Sequence, residues 1–113
     1  MTPARAAKIF RKEFERCCTL CGMTDWMVDF GEDTENVASI STNYKQKRCT
    51  VYINADELKL LPASDIRKVA AHESAHLLLA PISEVGPTHR DADRREEGVV
   101  NRIVSLLRSR RVK

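Results

Sequence analysis

The run from Asp65 to Ala80 constrains this chain more than any other stretch, because it reads as a helix carrying His72-Glu73-Ser74-Ala75-His76. Residues four apart lie one helical turn apart, so His72 and His76 share a face and Glu73 projects close beside them. Two imidazoles on one turn can converge on a single metal ion. Zinc in a hydrolytic site takes about three protein ligands and keeps one position for water, whose pKa it lowers to about 7. A carboxylate one residue after the first His is placed to take that water's proton. The competing reading is a pair of packed or solvated histidines. It is the weaker one here: the chain holds only three His, the helix around the motif is strongly apolar, and a Glu buried between two His is costly without a compensating cation.

The segments on either side fall into simple periodicities. Residues 4–21 form an amphipathic helix, with Phe10, Phe14, Cys17 and Cys21 on one stripe extended by Ala6 and Ala7, and Gly22 standing where a left-handed cap ends such a helix. From Asp25 to Asn54 the period changes to two. Trp26, Val28 and Phe30 mark a first strand ending at Gly31, Val37 to Thr42 a second, and Cys49, Val51 and Ile53 a third. Asn43 to Lys47 is short and polar enough to join the last two as a hairpin, and the expected sheet is small and mainly antiparallel. Ser64 is the expected N-cap of the motif helix, which stops before Pro81. After a loop from Ile82 to Arg90, a final helix over roughly 92–110 carries Val100, Ile103, Val104 and Leu107 as its apolar stripe.

Two His do not complete a zinc site, and the donors downstream are Glu84, His89, Asp91, Asp93, Glu96 and Glu97. No His stands six residues after His76, so a third imidazole in that arrangement is excluded. A carboxylate from the final helix remains. Glu96 falls nearer the centre of the apolar stripe and Glu97 at its edge, with Asn101 one turn further on. Either could equally serve as a first-turn Glu favoured by the helix dipole.

His72-Glu73-Ser74-Ala75-His76, followed some twenty residues later by Glu97-Gly98-Val99-Val100-Asn101, resembles the gluzincin arrangement of zinc metallopeptidases. In particular it resembles small phage- and prophage-type zincin-like peptidases and, more distantly, the ImmA/IrrE proteins. The resemblance spans about residues 25–110 through element order and is sharp only around the motif helix and Glu97. It implies that Glu97 is the third zinc ligand and that Asn101 orients the first His. It also implies that an extended peptide adds to an exposed edge strand, here Val37, Ala38 and Ser39 within 36–40. An ordinary edge strand blunted by Glu35 is the alternative for that segment. The expected fold is then a single α+β, zincin-like domain over residues 1–113: N-terminal helix, small sheet, active-site helix and ligand-bearing C-terminal helix. The expected activity is zinc-dependent hydrolysis of a peptide or protein substrate with Glu73 as general base. A zinc-binding regulatory or interaction protein without turnover is the alternative. The larger gluzincins add a His or Tyr that stabilises the oxyanion, and His89, Tyr44 and Tyr52 are the sources here, with no motif to choose among them.

Composition narrows the remaining classes. At 113 residues, with 42% hydrophobic and 31% charged residues, the chain suits one globular domain, and no apolar run approaches the length of a membrane span. The N-terminal stretch lacks the apolar core of a signal peptide, which makes a cytoplasmic location the expectation. A net charge of +3 does not by itself argue for nucleic acid. The basic tail of Arg108, Arg110, Arg111 and Lys113 supports such a partner only weakly, since a cationic last turn also suits the helix dipole. Cys17, Cys18, Cys21 and Cys49 include one C-x-x-C pair but no matching second pair, and without export they are expected as reduced, mostly apolar side chains.

Overall fold

The computed structural model describes the backbone of residues 1–81 and 90–109 and the side chains of residues 1–81 and 97–108. In chain order its elements are α1 (Pro3–Leu20), β1 (Met27–Glu32), β2 (Ala38–Asn43), β3 (Arg48–Ile53), a short α2 (Ala55–Leu58), α3 (Ala63–Leu78) and α4 (Arg90–Ser109). The protein is thus a small α+β domain built on a three-stranded sheet. No described helix is long and apolar enough to cross a membrane.

α1 forms where its apolar stripe predicts. Thr2 caps its start, its Oγ1 accepting from the Arg5 N–H at 3.1 Å, and Pro3 occupies the first turn, where a missing N–H costs nothing. Its end is closed by Gly22 at φ +71°. The Met23 N–H donates to the Cys18 carbonyl (2.8 Å) and the Gly22 N–H to that of Thr19 (3.1 Å), the paired bonds of a Schellman cap. Phe10 and Phe14 lie fully buried, their rings stacked at 6.4 Å, and Phe30 of β1 meets Phe14 edge-on at 6.0 Å.

The sheet is mixed, which corrects the expectation of a mainly antiparallel one. Its order is β1-β3-β2, with β2 antiparallel to β3 but β1 parallel to it. β3 takes the centre because it is the strand richest in apolar and β-branched residues. Cys49, Val51 and Ile53 are buried against the helices and Thr50 and Tyr52 half-buried on the other face. The more polar β1 and β2 take the edges. Residues 44–47 close the β2–β3 hairpin as expected, with Lys47 at φ +52°. Between β1 and β2 the chain instead crosses the end of β3, and Asp33 anchors the crossing. Its N–H donates to the Ile53 carbonyl (3.0 Å), and its carboxylate accepts from the Glu35 and Asn36 N–H groups and from Ser39 Oγ at 2.7 Å. Those bonds hold the Asp33 carboxyl below its ordinary pKa, the Asn36 N–H contributing most. Gly31 is required on β1 because the Tyr52 ring lies across it, so close that an added Cβ would come within 2.9 Å of Tyr52 Cδ1.

Two further differences are local. The N-cap of α3 is Pro62, which makes no side-chain cap bond, and Ser64 sits inside the first turn. Pro62 presets the extended entry, and its carbonyl accepts from the N–H groups of Asp65 and Ile66. α2 is a single turn with no apolar periodicity to mark it in the sequence, and Asn54 caps it, its Oδ1 accepting from the Glu57 N–H at 3.2 Å. α1 and α3 cover one face of the sheet, forming a core with Phe10, Phe14, Val51, Leu58, Ile66 and Leu77. α4 lies on α3 and α1 through a smaller seam of Cys17, Ala71, Ala75, Val100, Val104 and Leu107. The expected loop over Ile82 to Arg90, apart from Arg90 itself, lies outside the described residues, as does the tail beyond Ser109.

Candidate metal centre

On α3 the four-residue spacing does what helical geometry demands. The rings of His72 and His76 meet at a centroid distance of 4.7 Å and 72° between planes, and their Nε2 atoms lie 3.1 Å apart. Glu97 reaches the same point from α4, with Oε1 at 3.0 Å from His76 Nε2 and Oε2 at 3.7 Å from His72 Nε2. Small residues make this convergence possible. Ala71 and Ala75 flank the two His on α3, are fully buried, and let the Val100–Val104 side of α4 approach closely.

The donor set and its spacing fit zinc. Tetrahedral coordination at about 2.0–2.1 Å separates ligand atoms by about 3.3 Å, and the 3.1 Å between the two Nε2 atoms and the 3.0 Å from His76 Nε2 to Glu97 Oε1 lie near that value. Two imidazole nitrogens with one carboxylate oxygen are a donor set that zinc accepts, as do other divalent first-row metals. The alternative of a metal-free ion pair is poorly served at His72. Burial, and then the neighbouring His76, push its pKa below the ordinary value, against an opposing pull from Glu97. A neutral His72 makes the 3.7 Å contact with Glu97 no salt bridge, and leaves a lone pair for a cation.

Glu73, next to His72 on α3, is buried with 7% of its surface exposed. Its carboxyl is pushed up to about 7, chiefly by burial; the Glu97 and Asp33 carboxylates add to the rise and His76 opposes it. A carboxylate that accepts a proton near neutral pH has the affinity a general base needs. Beside it, Glu73, His76 and Ala80 face Ala38, Ser39, Ile40 and Thr42 of β2 across a cleft of about 350 Å³. A larger cleft, about 590 Å³, lies between α1, the end of β1 and α2, and contains none of the converging donors. Of these two clefts, the smaller is the one lined by Glu73 and His76.

The remaining sequence-derived candidates divide. Ala38 and Ser39 open β2 and line the cleft, whereas Val37 precedes the strand and its carbonyl accepts from the Asn54 N–H at 2.9 Å. Asn101 lies one turn beyond Glu97, is exposed, and among the described residues makes no hydrogen bond to His72. Tyr52 lies across Gly31 on the sheet face away from α3, which separates it from Glu73. Tyr44 packs near Trp26 (6.3 Å between centroids) with Lys47 Nζ 4.2 Å over its ring. His89 and the side chains of Glu84, Asp91, Asp93 and Glu96 lie outside the described residues. Asp33 is the residue that sequence reasoning missed. Its signal was the Asp33-Thr34-Glu35-Asn36 turn, where an Asp side chain caps its own following N–H groups.

The cysteines behave as apolar side chains. All four are free thiols, and Cys17, Cys18 and Cys49 are buried. Burial pushes Cys18 up to about 12 and Cys49 to about 11, so neither ionises readily. Among the described residues, no metal-compatible group of three donors includes a cysteine.

Comparison of the chain with protein-family models, with curated proteins and with solved structures found no match.

Proposed function

We propose that this protein is a zinc-dependent metallopeptidase of the gluzincin type, with His72, His76 and Glu97 holding the metal and Glu73 acting as general base. The observation that carries the reading is the convergence of His72, His76 and Glu97, whose ligand atoms all lie within 4.8 Å of one another, beside a buried carboxyl poised near neutrality. A bound zinc ion would supply Lewis acidity, polarising the scissile carbonyl and activating water for attack. Glu73 takes the proton from that water and returns it to the leaving amine. Its 7% exposure keeps bulk water from competing for the proton.

The β2 edge gives the substrate a place to lie. The Val37 carbonyl points to β3, where it meets the Asn54 N–H. By the two-residue alternation of an antiparallel ladder, the N–H and C=O of Ala38 and Ile40 point the other way, toward the cleft. An extended peptide added there would form main-chain bonds with these groups and carry its scissile bond past Glu73 and His76. Main-chain recognition implies a peptide or unfolded protein segment as the substrate class.

The test combines metal content with cleavage. Protein purified without added metal should hold about one zinc per chain, and His72→Ala or His76→Ala should lose it. A peptide library read by mass spectrometry should be cleaved by the zinc-loaded wild type and at least about 10²-fold more slowly by Glu73→Gln. Equal cleavage by both proteins would refute Glu73 as the base. Zinc binding without cleavage across broad libraries would favour a regulatory zinc protein.

A further inference from the structure

The two His ligands ride on α3 and the third ligand on α4, so the angle between these helices sets the geometry of the whole site. Glu97 does not fix that angle itself, since its side chain is 52% exposed. Among the described residues the seam under α4 is small, with Ala71 and Ala75 of α3 and Cys17 of α1 offering little surface to Val100, Val104 and Leu107. Polar contacts add to it. Two guanidinium contacts grip the last turn of α4. Arg16 Nη2 of α1 lies 3.4 Å from the Leu107 carbonyl, and Arg108 Nη1 donates to the Ser64 carbonyl in the first turn of α3 at 3.2 Å.

The Arg16 contact is long for a hydrogen bond, yet it is built with unusual care. Glu13 is buried on α1, only 3% exposed, and receives Arg16 in a two-pronged pair, Nε to Oε1 at 2.8 Å and Nη2 to Oε2 at 2.9 Å. A buried carboxylate is costly to keep, and a surface salt bridge would have served α1 as well. What the burial accomplishes is to lock the guanidinium plane and aim its positive charge at the negative end of the α4 dipole.

We propose that the Glu13–Arg16 pair is a positioning device for the metal site, acting through α4 on Glu97 and touching neither metal nor substrate. The inference rests on the metal-site reading above. Its leverage follows from helix geometry. Leu107 and Glu97 are separated by about 15 Å along the axis, so a tilt of about 4° at the clamped end moves the ligand by about 1 Å. Metal–ligand distances tolerate only about 0.2 Å.

The test measures zinc affinity by chelator competition in the wild type, Arg16→Met, Glu97→Gln and the double variant Arg16→Met/Glu97→Gln. Leu58→Val, in the core beneath α2, serves as a control for general loss of stability. Arg16→Met should weaken zinc about tenfold, in the range seen for residues that orient metal ligands, while Leu58→Val leaves affinity unchanged. In the Glu97→Gln background Arg16→Met should cause no further loss, because the ligand it positions is gone. Should Arg16→Met fail to fold with the Glu13 charge still buried, Glu13→Gln/Arg16→Met removes both charges and should give the same weakening. Zinc affinity within twofold of wild type in the folded variant, or an equal loss in both backgrounds, would overturn the proposal. Amide hydrogen exchange of the metal-free proteins separates this idea from the metal reading. Arg16→Met should speed exchange along α4 relative to α3, and unchanged exchange overturns the proposal whatever the wild type binds. Faster α4 exchange in a protein whose wild type takes up no zinc would instead support the clamp and refute the metal site.

Discussion

Replacing Glu73 by Gln should stabilise the metal-free protein, and should do so only above acidic pH. Glu73 ionises near 4.5 in an unfolded chain and at about 7 in the fold, where burial, Glu97 and Asp33 all disfavour its charge. Below pH 4.5 the carboxyl is protonated in both states and contributes no pH dependence. Between pH 4.5 and 7 the unfolded chain releases its proton and the folded chain retains it, so rising pH favours unfolding. Above 7 the loss is complete. At about 1.4 kcal/mol for each pH unit between the two values, it amounts to about 3 kcal/mol, and residual solvent contact at the cleft trims this to about 2–3 kcal/mol. Gln keeps the shape and much of the hydrogen bonding without the charge. Urea unfolding of chelator-treated wild type and Glu73→Gln should therefore give similar stabilities at pH 4, with the variant ahead by about 2–3 kcal/mol at pH 8. Titrations common to both proteins cancel in the difference. Saturating zinc should shrink the gap, since a nearby cation favours the ionised carboxylate. A difference that stays constant with pH, or a wild type that gains on the variant as pH rises, would show that Glu73 is already ionised in the fold, and the burial argument would be wrong.

Other expectations follow from single residues. Glu97→Gln should weaken zinc binding far more than Glu96→Gln in a chelator titration, although both lie in one helical turn and their dipole contributions stay below about 1 kcal/mol each. The opposite ranking would move the third ligand to Glu96. Phe14→Ala should cost about 3–5 kcal/mol in denaturant unfolding, because Phe14 is fully buried between Phe10 and Phe30. Gly22→Ala should cost about 1 kcal/mol through backbone strain alone, for at φ +71° no neighbouring atom lies within 4 Å of an added Cβ. Gly22→Asn should lose less.

Where physics acts over one or two turns, the sequence by itself was decisive. The stripe Phe10–Phe14–Cys17 defined α1, Gly22 its cap and Asn43–Lys47 the hairpin, because periodicity and cap chemistry are properties of neighbouring residues. The His72–His76 pairing belongs here too, since a helix brings residues four apart together whatever surrounds it. Strand order does not belong here. A period-two pattern is the same in parallel and antiparallel partners, so Val28 and Phe30 could not announce that β1 lies parallel to β3. That pairing arises because β3 is the most apolar strand and takes the centre, while the Asp33 turn carries the chain across its end. The meeting of Glu97 with the two His was equally beyond local reading. The helical wheel leaned toward Glu96, and only the close seating of α4 on Ala71 and Ala75 brings Glu97 Oε1 to 3.0 Å from His76. Contacts between residues distant in sequence depend on which surfaces bury each other, and that competition is decided by the whole folded chain.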